Sequence, residues 1–149
     1  MKKVLAVLAV GLLAAADGPV SDDARADLKK LAGTWALVAE VSDGQERDDD
    51  YIKKIKWVIN EDGTWKVLED GKVKYRGKLT VDPTKKPRAI DSISILAGQQ
   101  EGTVVRSIYE VNGDTLKHCF TVNGDRPETF ESKPGSRCTN SVFERVKEK

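Results

Sequence analysis

From Gly33 onward the chain is cut into short alternating runs by Asp-Gly and Asn-Gly pairs, and no helical period returns. These pairs supply the positive φ that tight hairpin turns need. Trp35, Leu37, Ala39 and Val41 alternate with more polar neighbours, as do Ile55, Trp57 and Ile59. Trp65 and Val67 lie between Asp62-Gly63 and Asp70-Gly71. Val73, Tyr75, Gly77, Leu79 and Val81 alternate with Lys72, Lys74, Arg76, Lys78 and Thr80. Further runs sit around Ile93 and Ile95, from Val105 to Val111, from Leu116 to Val122, at Phe130, and from Val142 to Val146. Parallel pairing needs crossovers of about a dozen residues or more, and most gaps here are shorter. The sheet is therefore expected to be antiparallel and mostly nearest-neighbour. A long meander of this kind removes its exposed edges by closing. The expected fold is all-β: an up-and-down barrel of about eight or nine strands over 33–147.

The segment before the barrel reads differently. Residues 17–32 begin with a Gly18-Pro19 breaker, and Ser21 then precedes Asp22 and Asp23, with Lys29 and Lys30 at the far end. Early acids, late bases and a capping serine predict a short helix over about 22–31, with Ala24, Leu28 and Leu31 on one face. Further upstream, Met1-Lys2-Lys3 leads into an uncharged apolar run from Val4 to Ala16, ending in three alanines. This is the pattern of a secretory signal peptide over 1–16, cleaved before Asp17. The run is shorter than the roughly 20 residues of a membrane-spanning helix, so no stable anchor is expected. The expected location is periplasmic or extracellular.

Charge and composition exclude several classes. The 25 Lys and Arg against 24 Asp and Glu leave no basic excess of the kind that drives nucleic-acid binding. One His and two Cys leave little for a metal centre, and no metal or other cofactor is expected. The acidic stretch between Asp43 and Lys53 lacks the alternating ligands and central glycine of a calcium loop and reads as a solvated connection.

The triplet Gly33-Thr34-Trp35 after a short helix, with Arg145 near the end of the last strand, resembles the lipocalin-like (calycin) barrels. That resemblance implies that Trp35 closes one barrel end and packs against Arg145. Longer blocks resemble more closely an uncharacterised lipocalin-like domain family abundant in planctomycete bacteria. They are Leu31 with Gly33-Thr34-Trp35, the run from Asp82 to Asp91, Ile108-Tyr109-Glu110, Gly113 to Lys117 with Cys119, and Arg126-Pro127 through Phe130. They span 31–145. His118 stands where that family usually has an apolar residue, and Cys138 is not one of its regular features. The family has no established activity, so the resemblance implies a fold and leaves function open.

By alternation the residues expected to line the barrel interior are Trp57, Trp65, Tyr75, Tyr109, His118 and Phe120. An eight-stranded barrel is just wide enough to be filled by side chains or to hold one small ligand. His118 is either a polar handle in such a cavity, an axial haem ligand, or a buried neutral imidazole bonded to a carbonyl or water; the last is the ordinary outcome. A bridge between Cys119 and Cys138 is an open alternative in an exported protein and would contribute about 3 kcal/mol on the chain-entropy argument. Asp82 and Asp91 could suggest a carboxylate pair, but Asp82 before Pro83 reads as a turn initiator and Asp91 as an acceptor of backbone amides or a partner of Arg88. No nucleophile elbow, phosphate loop or catalytic set is present, so no catalytic residue is assigned.

Two functions follow. The first is a monomeric, exported, non-enzymatic binding protein for a small, largely apolar ligand. The second is an interaction domain with a filled barrel, meeting a macromolecular partner through loops or through a basic Lys72/Lys74/Arg76/Lys78 face. No aromatic residues interleave on that face, which argues against single-stranded nucleic acid. A cavity of at least about 300 Å³ separates the first from the second.

Overall fold

A computed structural model of the chain describes residues 20–147. The leader assigned to 1–16 lies outside the described residues. Helix α1 (Asp22–Leu31) forms where the acids and bases placed it, with the Ser21 hydroxyl accepting from the Ala24 amide at 3.1 Å. It buries Ala24, Leu28 and Leu31, and also Asp27.

The remaining elements are β1 (Gly33–Ser42), β2 (Gln45–Glu46), α2 (Asp49–Ile52), β3 (Ile55–Ile59), β4 (Thr64–Glu69), β5 (Lys72–Asp82), β6 (Arg88–Leu96), β7 (Thr103–Asn112), β8 (Thr115–Val122) and β9 (Thr139–Arg145). Each long strand pairs antiparallel with the next, and β1 pairs with β9 to close an eight-stranded barrel, with β2 as a short extra strand on β1. Asp70-Gly71 links β4 to β5 with both φ angles positive, +52° and +77°, as a two-residue hairpin requires. Among the described residues no helix is long and apolar enough to cross a membrane.

Three local readings are corrected. Phe130 is not in a strand: after Val122 the chain leaves the sheet and runs as an irregular strap to Cys138 before β9 begins. The strap lies across the outer face of β6–β9. Arg126 donates to the Ile90 and Ser107 carbonyls at 2.8 and 2.7 Å, and Asn140 Nδ2 donates to the Phe130 carbonyl at 2.8 Å. The connection 43–53 is also more ordered than a solvated loop. It carries β2 and the single turn of α2, which Asp48 caps through the Tyr51 amide at 2.8 Å. Finally, Lys72, Lys74, Arg76 and Lys78 do not form one stripe. A bulge in β5 between Val73 and Tyr75 turns Lys74 to the barrel rim, where it pairs with Glu69 at 2.8 Å, and puts Val73 on the outside instead.

The closed end of the barrel is packed. Trp35 is fully buried, its indole donates to the Leu31 carbonyl at 2.8 Å, and Arg145 lies over its ring at 4.2 Å. The guanidinium also donates to the carbonyls of Ala32 and Lys30 at 2.8 and 2.7 Å, so it ties the end of α1 to the β1–β9 seam. Gly33 makes room for this contact: at φ +131° an added Cβ would come within 2.8 Å of Arg145 Nη1.

Candidate functional site

The other end of the barrel is hollow. A cavity of about 410 Å³ lies between the strands, with Ile55, Trp57, Trp65, Val67, Ile90 and Phe143 forming much of its wall. Of the six interior residues expected from the sequence, Trp57, Trp65, Tyr75, His118 and Phe120 line it. Tyr109 does not. It is buried at the closed end, where its hydroxyl donates to Asp27 Oδ2 of α1 at 2.5 Å. Arg88 donates to both oxygens of the same carboxylate at 3.2 and 2.9 Å. Burial and the Asp27 carboxylate together push the Tyr109 phenol far above its ordinary range. Tyr109 is thus part of the helix anchor rather than of the cavity.

The aromatic wall is continuous. Trp57 meets Trp65 edge-on at 6.2 Å between ring centres, and His118 sits 4.7 Å from Trp57 and 5.1 Å from Phe120, stacked on the latter. Among the described residues the indole N–H groups of Trp57 and Trp65 have no hydrogen-bond acceptor. Burial holds the His118 imidazole neutral, with its pKa lowered to about 3. Among the described residues no carbonyl or side chain hydrogen-bonds its ring, which is held by stacking between Trp57 and Phe120.

A polar fringe completes the lining. Glu40, Ser141 and His118 are cross-strand neighbours on β1, β9 and β8. The Ser141 hydroxyl donates to Glu40 Oε2 at 2.8 Å, and Arg47 pairs with Glu40 at 3.4 Å. Ser92, Ser94 and Thr103 face them from β6 and β7. At the mouth, Tyr51 of α2 lies between two cations, Arg47 at 5.1 Å and Lys74 at 5.7 Å from its ring centre. Burial and then the Glu40 charge raise the Tyr51 phenol above its usual pKa.

Unbroken alternation along β1 from Trp35 to Val41 would place Ala39 inside the barrel and Glu40 outside. A bulge between Leu37 and Ala39 reverses its phase, so Ala39 turns outward and Glu40 inward. Arg47 and Tyr51 lie in the acidic connection 43–53, whose composition alone reads as a solvated loop.

The remaining candidates are committed elsewhere. Asp82 accepts from the Thr84 amide and hydroxyl at 3.1 and 2.5 Å, which lowers its pKa. Asp91 pairs with Arg126, not with Arg88. The Cys119–Cys138 bridge is not formed: Cys119 Sγ points to the Glu131 carbonyl and Cys138 Sγ to the Ser136 carbonyl, under and along the strap. Burial raises the Cys119 thiol to about 11, with Cys138 nearby adding to the shift.

Comparison with known proteins yields no match: no family model, no curated protein and no solved structure matches the chain. The closed eight-stranded antiparallel barrel is compatible with a lipocalin-like fold.

Proposed function

We propose that this chain is an exported, non-enzymatic binding protein that holds one small, largely apolar ligand in the hollow end of its barrel. The observation that carries the reading is the cavity itself. At about 410 Å³ it exceeds the roughly 300 Å³ lower end of small-molecule sites, whereas a filled barrel would leave no such space. Its aromatic wall favours a ligand with a flat or unsaturated apolar body. The fringe of Glu40, Ser141, Ser92 and Ser94 favours a ligand that also carries hydrogen-bonding groups at its edge.

The absence of a catalytic role is part of the same reading. The Ser141 hydroxyl is turned to Glu40 rather than to His118, so the imidazole does not serve it as a base. Membership of the planctomycete lipocalin-like family, the leader over 1–16 and a monomeric state belong to this proposal too. They rest on the residue blocks and the leader pattern described above.

Titration with the apolar dye N-phenylnaphthylamine tests the binding function. Saturable binding of about one dye per chain, quenching of tryptophan emission and indifference to salt are expected. Tyr75→Ala or Phe120→Ala should change the affinity severalfold, and Lys78→Gln should not. Dye uptake that does not saturate, or that ignores both cavity substitutions, would sink the ligand reading.

A further inference from the structure

The outer face of β3–β7 carries a second feature, independent of the cavity. Cross-strand register places Val58, Lys66, Arg76 and Ile95 in one row across β3, β4, β5 and β6. The next row holds Thr64, Lys78, Ile93 and Val104. On the other side lies the shorter row of Lys56, Leu68 and Val73. No acidic residue occupies these three rows. Among the described residues none of Lys56, Lys66, Arg76 and Lys78 forms an ion pair.

The aliphatic residues between these cations are open to solvent: Val73 is 43% exposed, Ile93 44% and Val104 36%. The bulge in β5 is what turns Val73 outward. Gly77 brings β5 close to β6, since an added Cβ there would come within 1.9 Å of the Ile93 carbonyl. The result is a shallow groove bordered by Val73, Ile93 and Ile95 and edged by Lys66, Arg76 and Lys78.

We propose that this face docks the protein on anionic phospholipid membranes. A bilayer surface matches both halves of its chemistry. Headgroup phosphates meet unpaired lysine and arginine, and the interfacial zone takes up aliphatic side chains that otherwise stand in water. A soluble polyanion would satisfy only the cations and leave Val73, Ile93 and Val104 hydrated. Overall charge does not account for the attraction, because basic and acidic residues are nearly balanced over the chain. The attraction is local and therefore short-ranged in salt.

Co-sedimentation of the purified protein with vesicles tests this. Binding is expected to phosphatidylcholine vesicles containing phosphatidylglycerol, absent with pure phosphatidylcholine, and weakened by added sodium chloride. Each removed cation should weaken binding about fivefold, so Lys66→Gln with Lys78→Gln should cost about twenty-five-fold. Ile93→Ser with Val104→Ser should also lower binding to the anionic vesicles, by about fivefold or more. Arg76→Gln alone repeats the test with a single exposed side chain. Lys117→Gln, on the exposed side of β8, should leave binding unchanged. Failure to bind anionic vesicles, equal binding to neutral ones, or equal loss with Lys117→Gln overturns the proposal. Capture by heparin that survives the Ile93 and Val104 substitutions, without vesicle binding, overturns it in favour of a soluble polyanion.

Discussion

Arg145 and Trp35 are direct cross-strand partners on the β9–β1 seam, and the guanidinium lies 4.2 Å from the indole ring centre. One side chain therefore joins three parts of the fold: the seam, the end of α1 and the closed end of the barrel. Trp35→Ala should cost about 3–5 kcal/mol, as for loss of a large buried ring. Arg145→Ala should cost less, and the pair should show a coupling of about 0.5–2 kcal/mol in a double-mutant cycle by urea unfolding. Additive effects would mean that the stack does not close the barrel end.

The hydroxyl of Tyr109 and the carboxylate of Asp27 make the second tie between helix and barrel. Tyr109→Phe removes a buried donor but leaves Arg88 on the carboxylate, so a loss of about 1–3 kcal/mol is expected. Dye affinity should stay within about twofold of the parent, because Tyr109 does not line the cavity. A large loss of affinity with unchanged stability would return Tyr109 to the binding wall.

The helix, the strand order and the closing stack were legible because each rests on local chemistry: a capped amphipathic segment, positive-φ hairpin pairs, and a tryptophan matched to a late arginine. Two departures from simple alternation share one cause. An added residue in β1 and another in β5 each reverse the inside–outside phase, and neither bulge has a glycine or proline to announce it. That reversal carries Glu40 inward and Val73 outward, against simple alternation. Tyr109 and Asp27 are different. Alternation correctly turned Tyr109 inward, but only the tertiary docking of α1 decides which end of the barrel it occupies. The strap 123–138 was unreadable because its order comes from Arg126 and Asn140 reaching distant carbonyls.

The two thiols should differ in reactivity. Cys119 is buried beneath the strap with its thiol raised to about 11, whereas Cys138 is only partly covered. A thiolate is the reacting form, so a maleimide at pH near 8 should modify Cys138 alone in the folded protein and both residues in denaturant. Mass spectrometry reads the count directly. No modification in denaturant without reductant would show that the two cysteines are bridged.

His118 sets a pH dependence whose sign follows from its burial. Its pKa is lowered from 6.5 to about 3 by desolvation, so between these values the unfolded chain binds a proton that the folded chain does not. Stability from this group is therefore fully present above pH 6.5 and falls as the pH drops toward 3. The limiting slope is about 1.4 kcal/mol per pH unit. His118→Gln abolishes that proton while keeping a polar side chain of similar size. Urea unfolding at pH 7 and at pH 4.5 should show the parent losing about 2 kcal/mol more than the variant over this interval. Carboxylates that titrate in the same range contribute equally to both proteins and cancel in the comparison. Equal losses would mean that the imidazole accepts its proton without leaving water. That would require an open solvent path past Trp57 and Phe120, and with it a cavity wetter than its aromatic wall implies.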